Sequence, residues 1–160
     1  MIKIDKIKDM NTEEKLKYML ILSRGQLGSE KDMTANLSNI SAIINECILE
    51  INWAGFYLFK EGELVLGPFQ GKPACNRIAV GKGVCGAAFL NNETLLVPDV
   101  HLFPGHIACD SDSNSEIVVP IIKGDIKFGV LDIDSPIKNR FSDLEKSYLE
   151  KLVLDIKKYI

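Results

Sequence analysis

Much that would classify this chain at a glance is missing. None of its four cysteines forms a C-x-x-C pair, so neither a thioredoxin-type motif nor a zinc ribbon is spelled out. There are only two histidines, His101 and His106. With the cysteines they lack the short paired intervals of structural zinc sites, so no metal or cofactor is expected. No apolar run approaches the ~20 residues that cross a bilayer. The opening segment, MIKIDKIKDMNTEEK, has no apolar core of the kind a signal peptide carries. Net charge is only −3, with lysines and acids interspersed, which gives no electrostatic footprint for nucleic acid or an anionic membrane. No repeat, low-complexity block or Pro/Ser-rich linker divides the 160 residues. The expectation is a single domain over 1–160 in the cytoplasm, where a permanent disulfide framework is disfavoured and cysteines are buried, metal-bound or redox-active.

What is present has clear periodicity. Asn11 to Glu14 reads as a capping box opening a helix with Leu16, Met19 and Leu20 on one face. Leu37, Ile40, Ile43, Ile44, Cys47 and Ile48 recur at helical spacing, which makes Cys47 a packing residue. The pattern then turns to β. WAGFYLFKEGELVLG gives a hairpin turning at Glu61-Gly62, and IVVPIIKGDIKFGVLDID a second at Gly124-Asp125. GVCGAAFLNN between them reads as a short helix and ETLLVPDV as an extended segment. Ser142 to Glu145 is another capping box, followed by Leu144, Tyr148, Leu149, Leu152, Val153 and Ile156 on an amphipathic helix. Hairpins flanked by helices point to an α+β domain with an antiparallel sheet.

The chemistry-bearing residues gather in the irregular middle. Cys75, Cys85 and Cys109 lie on glycine-rich segments able to bend toward one another. Cys75 sits beside Lys72 and Arg77, a cationic setting that favours a thiolate, whereas Cys85 in VCGAAFL reads equally well as core. Cys109, in FPGHIACDSDSNSE, runs into Asp110 and Asp112, which should raise its pKa. In FGVLDIDSP, Asp132 and Asp134 share one strand face, ~6.6 Å apart along it. If 116–122 pairs with 126–132, Glu116 lies at the same open end. Trp53 and Tyr57 share a face of the first strand by period two. Apolar walls with an anionic end suit a compact cationic or zwitterionic ligand, although both aromatics fit a plain core equally well.

The segments NWAGFYLF, LVLGPFQGKPAC, GKGVCG, VPDVHLFPGHIACDS, SEIVVP and GVLDIDSP, in that order from about Asn52 to Phe141, resemble the free methionine-(R)-sulfoxide reductases, which are stand-alone GAF domains. The spacing of the three middle cysteines matches as well. A departure is RIAV before GKG, where members of that family often carry a proline. The resemblance implies a central antiparallel sheet with helices on one face and a loop-covered ligand cavity on the other. It implies reduction of free L-methionine (R)-S-oxide to L-methionine with electrons from thioredoxin, and a possible homodimer. By the same resemblance Cys109 is the nucleophile, Cys75 the resolving cysteine and Cys85 an alternative partner, with Trp53, Tyr57, Glu116, Asp132 and Asp134 lining the substrate pocket. Asp134, together with Glu116 and Asp132, is the candidate proton donor to the sulfoxide oxygen. Two other readings remain open from the residues: a non-catalytic small-ligand sensor and a thiol redox switch.

Overall fold

The computed structural model describes residues 7–105 and 111–160. Helix starts follow the capping chemistry that the sequence spells. The Asn11 side chain accepts from the Glu14 amide at 3.0 Å, and the Glu14 carboxylate accepts from the Asn11 amide at 2.8 Å. This reciprocal box opens α1 (Thr12–Ser29). Asp32 caps α2 (Met33–Cys47) by accepting from the Ala35 amide at 2.8 Å. Ser142 and Glu145 form a second box at the start of α4 (Asp143–Ile156). Leu144 departs from its expected place on the buried stripe, since it is 38% exposed. Glu145 takes the inward position instead: it must reach back to the cap, and Arg140 donates to its carboxylate at 2.9 Å.

The strands are β1 (Trp53–Lys60), β2 (Glu63–Gly71), β3 (Arg77–Ala79), β4 (Leu95–Val97), β5 (Ser115–Lys123) and β6 (Ile126–Ser135). They form one antiparallel sheet in the order β3-β2-β1-β6-β5-β4. Both expected hairpins form. Glu61 and Gly62 have φ of 53° and 90°, the doubly positive pair that a tight two-residue turn requires.

Strict alternation separates two apolar clusters. Ala54, Phe56, Ile117, Val119, Ile121, Leu131 and Ile133 face α1, α2 and α4. Each large side chain buried there contributes ~1.5–3 kcal/mol. Trp53, Tyr57, Val118 and Val130 project to the other face, where they meet Val84, Cys85, Ala88 and Phe89 of α3 (Gly83–Asn91). Three helices thus cover one face as expected, and the fourth roofs the opposite one. No helix among the described residues is long and apolar enough to cross a membrane.

Close approach of β1 and β6 depends on Gly129, where a Cβ would lie 2.0 Å from the Tyr57 carbonyl oxygen. Gly25, exposed in α1, would meet nothing within 4 Å. Gly129→Ala should therefore lose about 3 kcal/mol, while Gly25→Ala should gain up to about 1 kcal/mol by helix propensity. Urea unfolding of the two variants checks this; equal midpoints would contradict the steric argument.

Candidate active site

The site is built from rungs across three central strands. Trp53 of β1 is opposite Asp134 of β6, and Asp134 is opposite Glu116 of β5. On the next same-face rung Gly55, Asp132 and Val118 align, and beyond it Tyr57 and Val130. Period two therefore points Trp53, Tyr57, Glu116, Asp132 and Asp134 to the α3 side of the sheet. The five residues assigned from sequence to the pocket come together.

Helix α3 brings a sixth group. Gly86 has no Cβ, and one there would sit 2.5 Å from the Ala79 carbonyl oxygen. Its absence allows the first turn of α3 to lie against the end of β3 and places Cys85 over the acids. The Cys85 thiol donates to Glu116 Oε1 at 3.8 Å. Ligand atoms of Cys85, Glu116 and Asp132 all lie within 4.8 Å of one another.

Burial sets the electrostatics. Glu116 and Asp132 are each only 6% exposed. Loss of water pushes the Glu116 carboxyl well above the ordinary carboxylate range, and the Asp132 and Asp134 charges push it further. Asp132 is raised to about 6, again by desolvation, with hydrogen bonds from Cys85 and Glu116 pulling the other way. Two acids this close titrate as a unit, and burial makes the pair hold a proton to higher pH than exposed carboxyls would. Desolvation and the same carboxylates raise the Cys85 thiol well above its usual value. Tyr57 is likewise held neutral, and its hydroxyl donates to the Cys75 carbonyl at 3.0 Å.

Two buried polar atoms here lack a hydrogen-bond partner: Trp53 Nε1 and Asp132 Oδ1, one donor and one acceptor. Unpaired buried groups are costly, and a site that keeps one of each has a donor and an acceptor left over for a polar ligand.

The cysteines separate into different settings. Cys47 is buried on α2 with its thiol pushed up to about 11 by desolvation, as a packing residue should be. Cys75 is half-buried and disulfide-bonded, while Cys47 and Cys85 are free. The cationic surroundings expected for Cys75 are drawn off elsewhere: Lys72 pairs with Asp112, and Arg77 with Glu63 at 3.3 Å. Cys109, His106 and Asp110 lie outside the described residues. His101 is exposed, with Nε2 on Asn114 at 3.1 Å.

Sequence reasoning missed Phe69. Its ring stacks on Trp53 with centroids 5.3 Å apart and planes at 14°, while Tyr57 lies on the indole at 5.8 Å. The β1–β2 register shifts between Gly55 and Tyr57, so simple alternation along β2 could not have placed that ring. Asn52 Nδ2 donating to Ser113 Oγ at 3.1 Å, and the Lys72–Asp112 pair, were invisible for a similar reason: both join distant segments.

Residues 37–158 match the model of the GAF domain family. The free methionine-R-sulfoxide reductase of Escherichia coli (strain K12) is 50% identical over 134 residues, covering 84% of this chain and 81% of that protein. The protein of the same name from Saccharomyces cerevisiae is 47% identical over 158 residues, covering 94% and 88%. Among solved structures, a free methionine-R-sulfoxide reductase from Neisseria meningitidis in complex with its substrate superposes with a TM-score of 0.91 at 39% identity, covering 96% of this chain and 92% of that one. Sheet order, the cluster of buried acids and these similarities agree, and the chain belongs to the GAF domain family and, within it, to the free methionine-R-sulfoxide reductases.

Proposed function

We propose that this chain reduces free L-methionine (R)-S-oxide to L-methionine, with Cys109 as nucleophile, Cys75 as resolving cysteine and thioredoxin as the external dithiol. The observation that carries the reading is the buried Glu116–Asp132 pair beside a wall of Trp53 and Tyr57. A sulfoxide oxygen leaves sulfur only when protonated or strongly hydrogen-bonded, and a carboxyl kept neutral by burial supplies that proton at neutral pH. Burial favours Glu116 as the donor over Asp134, which is only half-buried and meets water more readily.

The remaining carboxylates hold the substrate ammonium, a group that methionine within a peptide does not possess. Asp132 Oδ1, buried and without a partner, suits that contact. The indole of Trp53, stacked with Phe69 and Tyr57, faces the methyl end and restricts which epimer fits.

In the reaction the Cys109 sulfur displaces methionine from the protonated sulfoxide. Methionine sulfur gains two electrons, and Cys109 becomes a sulfenic acid. The Cys75 thiol then condenses with it, releasing water and forming a disulfide, which the thioredoxin dithiol reduces. Two features support Cys75 rather than Cys85 as the resolving thiol. Cys75 is already in a disulfide while Cys85 is free, and Cys85 is held protonated by its apolar and anionic surroundings. The Lys72–Asp112 pair also ties together the segments that carry Cys75 and lead away from Cys109.

Supplied with dithiothreitol, the chain should release methionine from the free R epimer and not from the S epimer or from peptides. Glu116→Gln should lower kcat/KM by roughly 10²–10⁴-fold while the variant remains folded. With thioredoxin, Cys109→Ser should be inactive and Cys75→Ser should complete one turnover and stall. Equal multi-turnover rates in both cysteine variants would refute these roles, and no methionine from either epimer would leave a ligand-binding domain instead.

The raised acids also make stability depend on pH. Asp132 titrates at about 6 when folded, against ~3.9 in an unfolded chain. Below the lower value both states carry the proton. As pH rises through this window the unfolded chain ionises first, so stability falls until the folded carboxyl follows. Thermal melts should show this loss between about pH 4 and 6 for the wild type. Asp132→Asn, which does not ionise, should lose Asp132's share of it and melt higher by ~3 °C or more near pH 8, while losing activity. A variant midpoint at or below wild type at that pH would contradict the account.

A further inference from the structure

The thiol of Cys85 and the carboxylates of Glu116 and Asp132 make a donor set that the reductase reading does not use as such. We propose that these three residues form a binding site for a thiophilic divalent cation of the Zn²⁺ class, and that the bound cation excludes substrate from the pocket.

The geometry is close to what coordination requires. The three ligand atoms lie within 4.8 Å of one another. Donors around tetrahedral zinc, at 2.0–2.3 Å from the metal, sit ~3.3–3.8 Å apart, so small side-chain rotations suffice. The donors stand on three different elements, α3, β5 and β6, which hold them from separate directions. All three are buried, so few waters need displacing from the ligands themselves.

An independent observation points to a missing positive partner. Asp132 Oδ1 is buried without any hydrogen-bond partner. Among the described residues, no salt bridge joins a lysine, arginine or histidine to Glu116 or Asp132. A cation bound among the three residues satisfies the stranded oxygen and relieves the mutual repulsion of the acids.

Donor chemistry selects the metal class. One thiolate with two carboxylates suits a borderline ion such as Zn²⁺, whereas Mg²⁺ and Ca²⁺ take oxygen donors. Three protein ligands leave a fourth position for water. Binding is a simple exchange: the cation replaces the thiol proton and any proton on the carboxyls, which pass to solvent, and no electrons move. Substrate ammonium seeks the same acids, so metal and substrate are mutually exclusive. The site was not visible from spacing, because Cys85, Glu116 and Asp132 are distant in sequence and meet only through the sheet register.

The test uses the oxidised chain with the Cys75 disulfide intact, which leaves Cys85 as the free thiol in the pocket. Isothermal titration with Zn²⁺ should give a single saturable site. Its affinity should fall ~10-fold or more in Cys85→Ser and in Asp132→Asn, stay unchanged in Cys47→Ser, and weaken when free methionine sulfoxide is added. Co²⁺ in the wild type should show a thiolate charge-transfer band that Cys85→Ser removes. Absence of saturable binding, a Co²⁺ complex without the thiolate band, or undiminished affinity in a Cys85→Ser protein with a wild-type melting curve would each overturn the proposal. Because binding is read without turnover, its failure is distinguishable from failure of the reductase reading, which the metal-free activity assay decides.

Discussion

Two carboxyls buried side by side on one face of the sheet are the constraint around which this molecule is arranged. Glu116 and Asp132 are each removed from water, which raises both carboxyls; the Asp132 charge raises Glu116 further, while the hydrogen bond from Glu116 draws Asp132 back. Burying such groups costs stability, and the cost is tolerable only because the opposite face of the sheet is almost wholly apolar. There α1, α2 and α4 cover β1, β5 and β6 with a continuous core from Leu16 to Ile156. The same strands therefore serve two purposes on alternate residues. Ile117, Leu131 and Ile133 stabilise the domain, while Glu116, Asp132 and Asp134, one residue away, carry the site. A slip of one residue in the β5–β6 register would exchange the two sets and destroy both.

That division explains which parts of the fold are legible in the sequence. Capping boxes at Asn11 and Ser142, the turn pairs Glu61-Gly62 and Gly124-Asp125, and the helical stripe through Cys47 are local signals, and each formed where the residues said it would. Leu144 failed for a reason equally local: the capping role of Glu145 fixes the first turn and rotates Leu144 outward. The acids were readable because period two is rigid. Once Asp132 and Asp134 are placed on a strand end, the hairpin puts Glu116 beside them.

The rest was hidden because it depends on segments far apart in the chain. Phe69 reaches Trp53 through an irregularity in the β1–β2 ladder. Cys85 reaches Glu116 because Gly86 lets α3 press against Ala79. Cys85 inside VCGAAFL reads as either core or site, and the fold makes it both, a buried thiol in an apolar cluster that donates to a carboxylate. No periodicity distinguishes those outcomes. Only the partner decides, and the partner lies thirty-one residues away.

In the proposed reaction, the raised acids also bear on how a nucleophilic thiol could work with carboxylates. Three ionised carboxylates would oppose formation of a thiolate at Cys109 and would have no proton to give a departing oxygen. A pair that keeps one proton has one charge fewer, which weakens that opposition, and it carries the proton that the oxygen needs. In the proposed reaction, the pair becomes more anionic as it donates, at the moment when the attacking sulfur has already passed its own charge toward the substrate. Substrate ammonium bound at the unpaired Asp132 oxygen offsets the new charge. On that proposal the acid cluster opposes an idle thiolate and favours attack once a substrate brings both an oxygen to protonate and a cation to neutralise, which would couple the chemistry to recognition of the free amino acid.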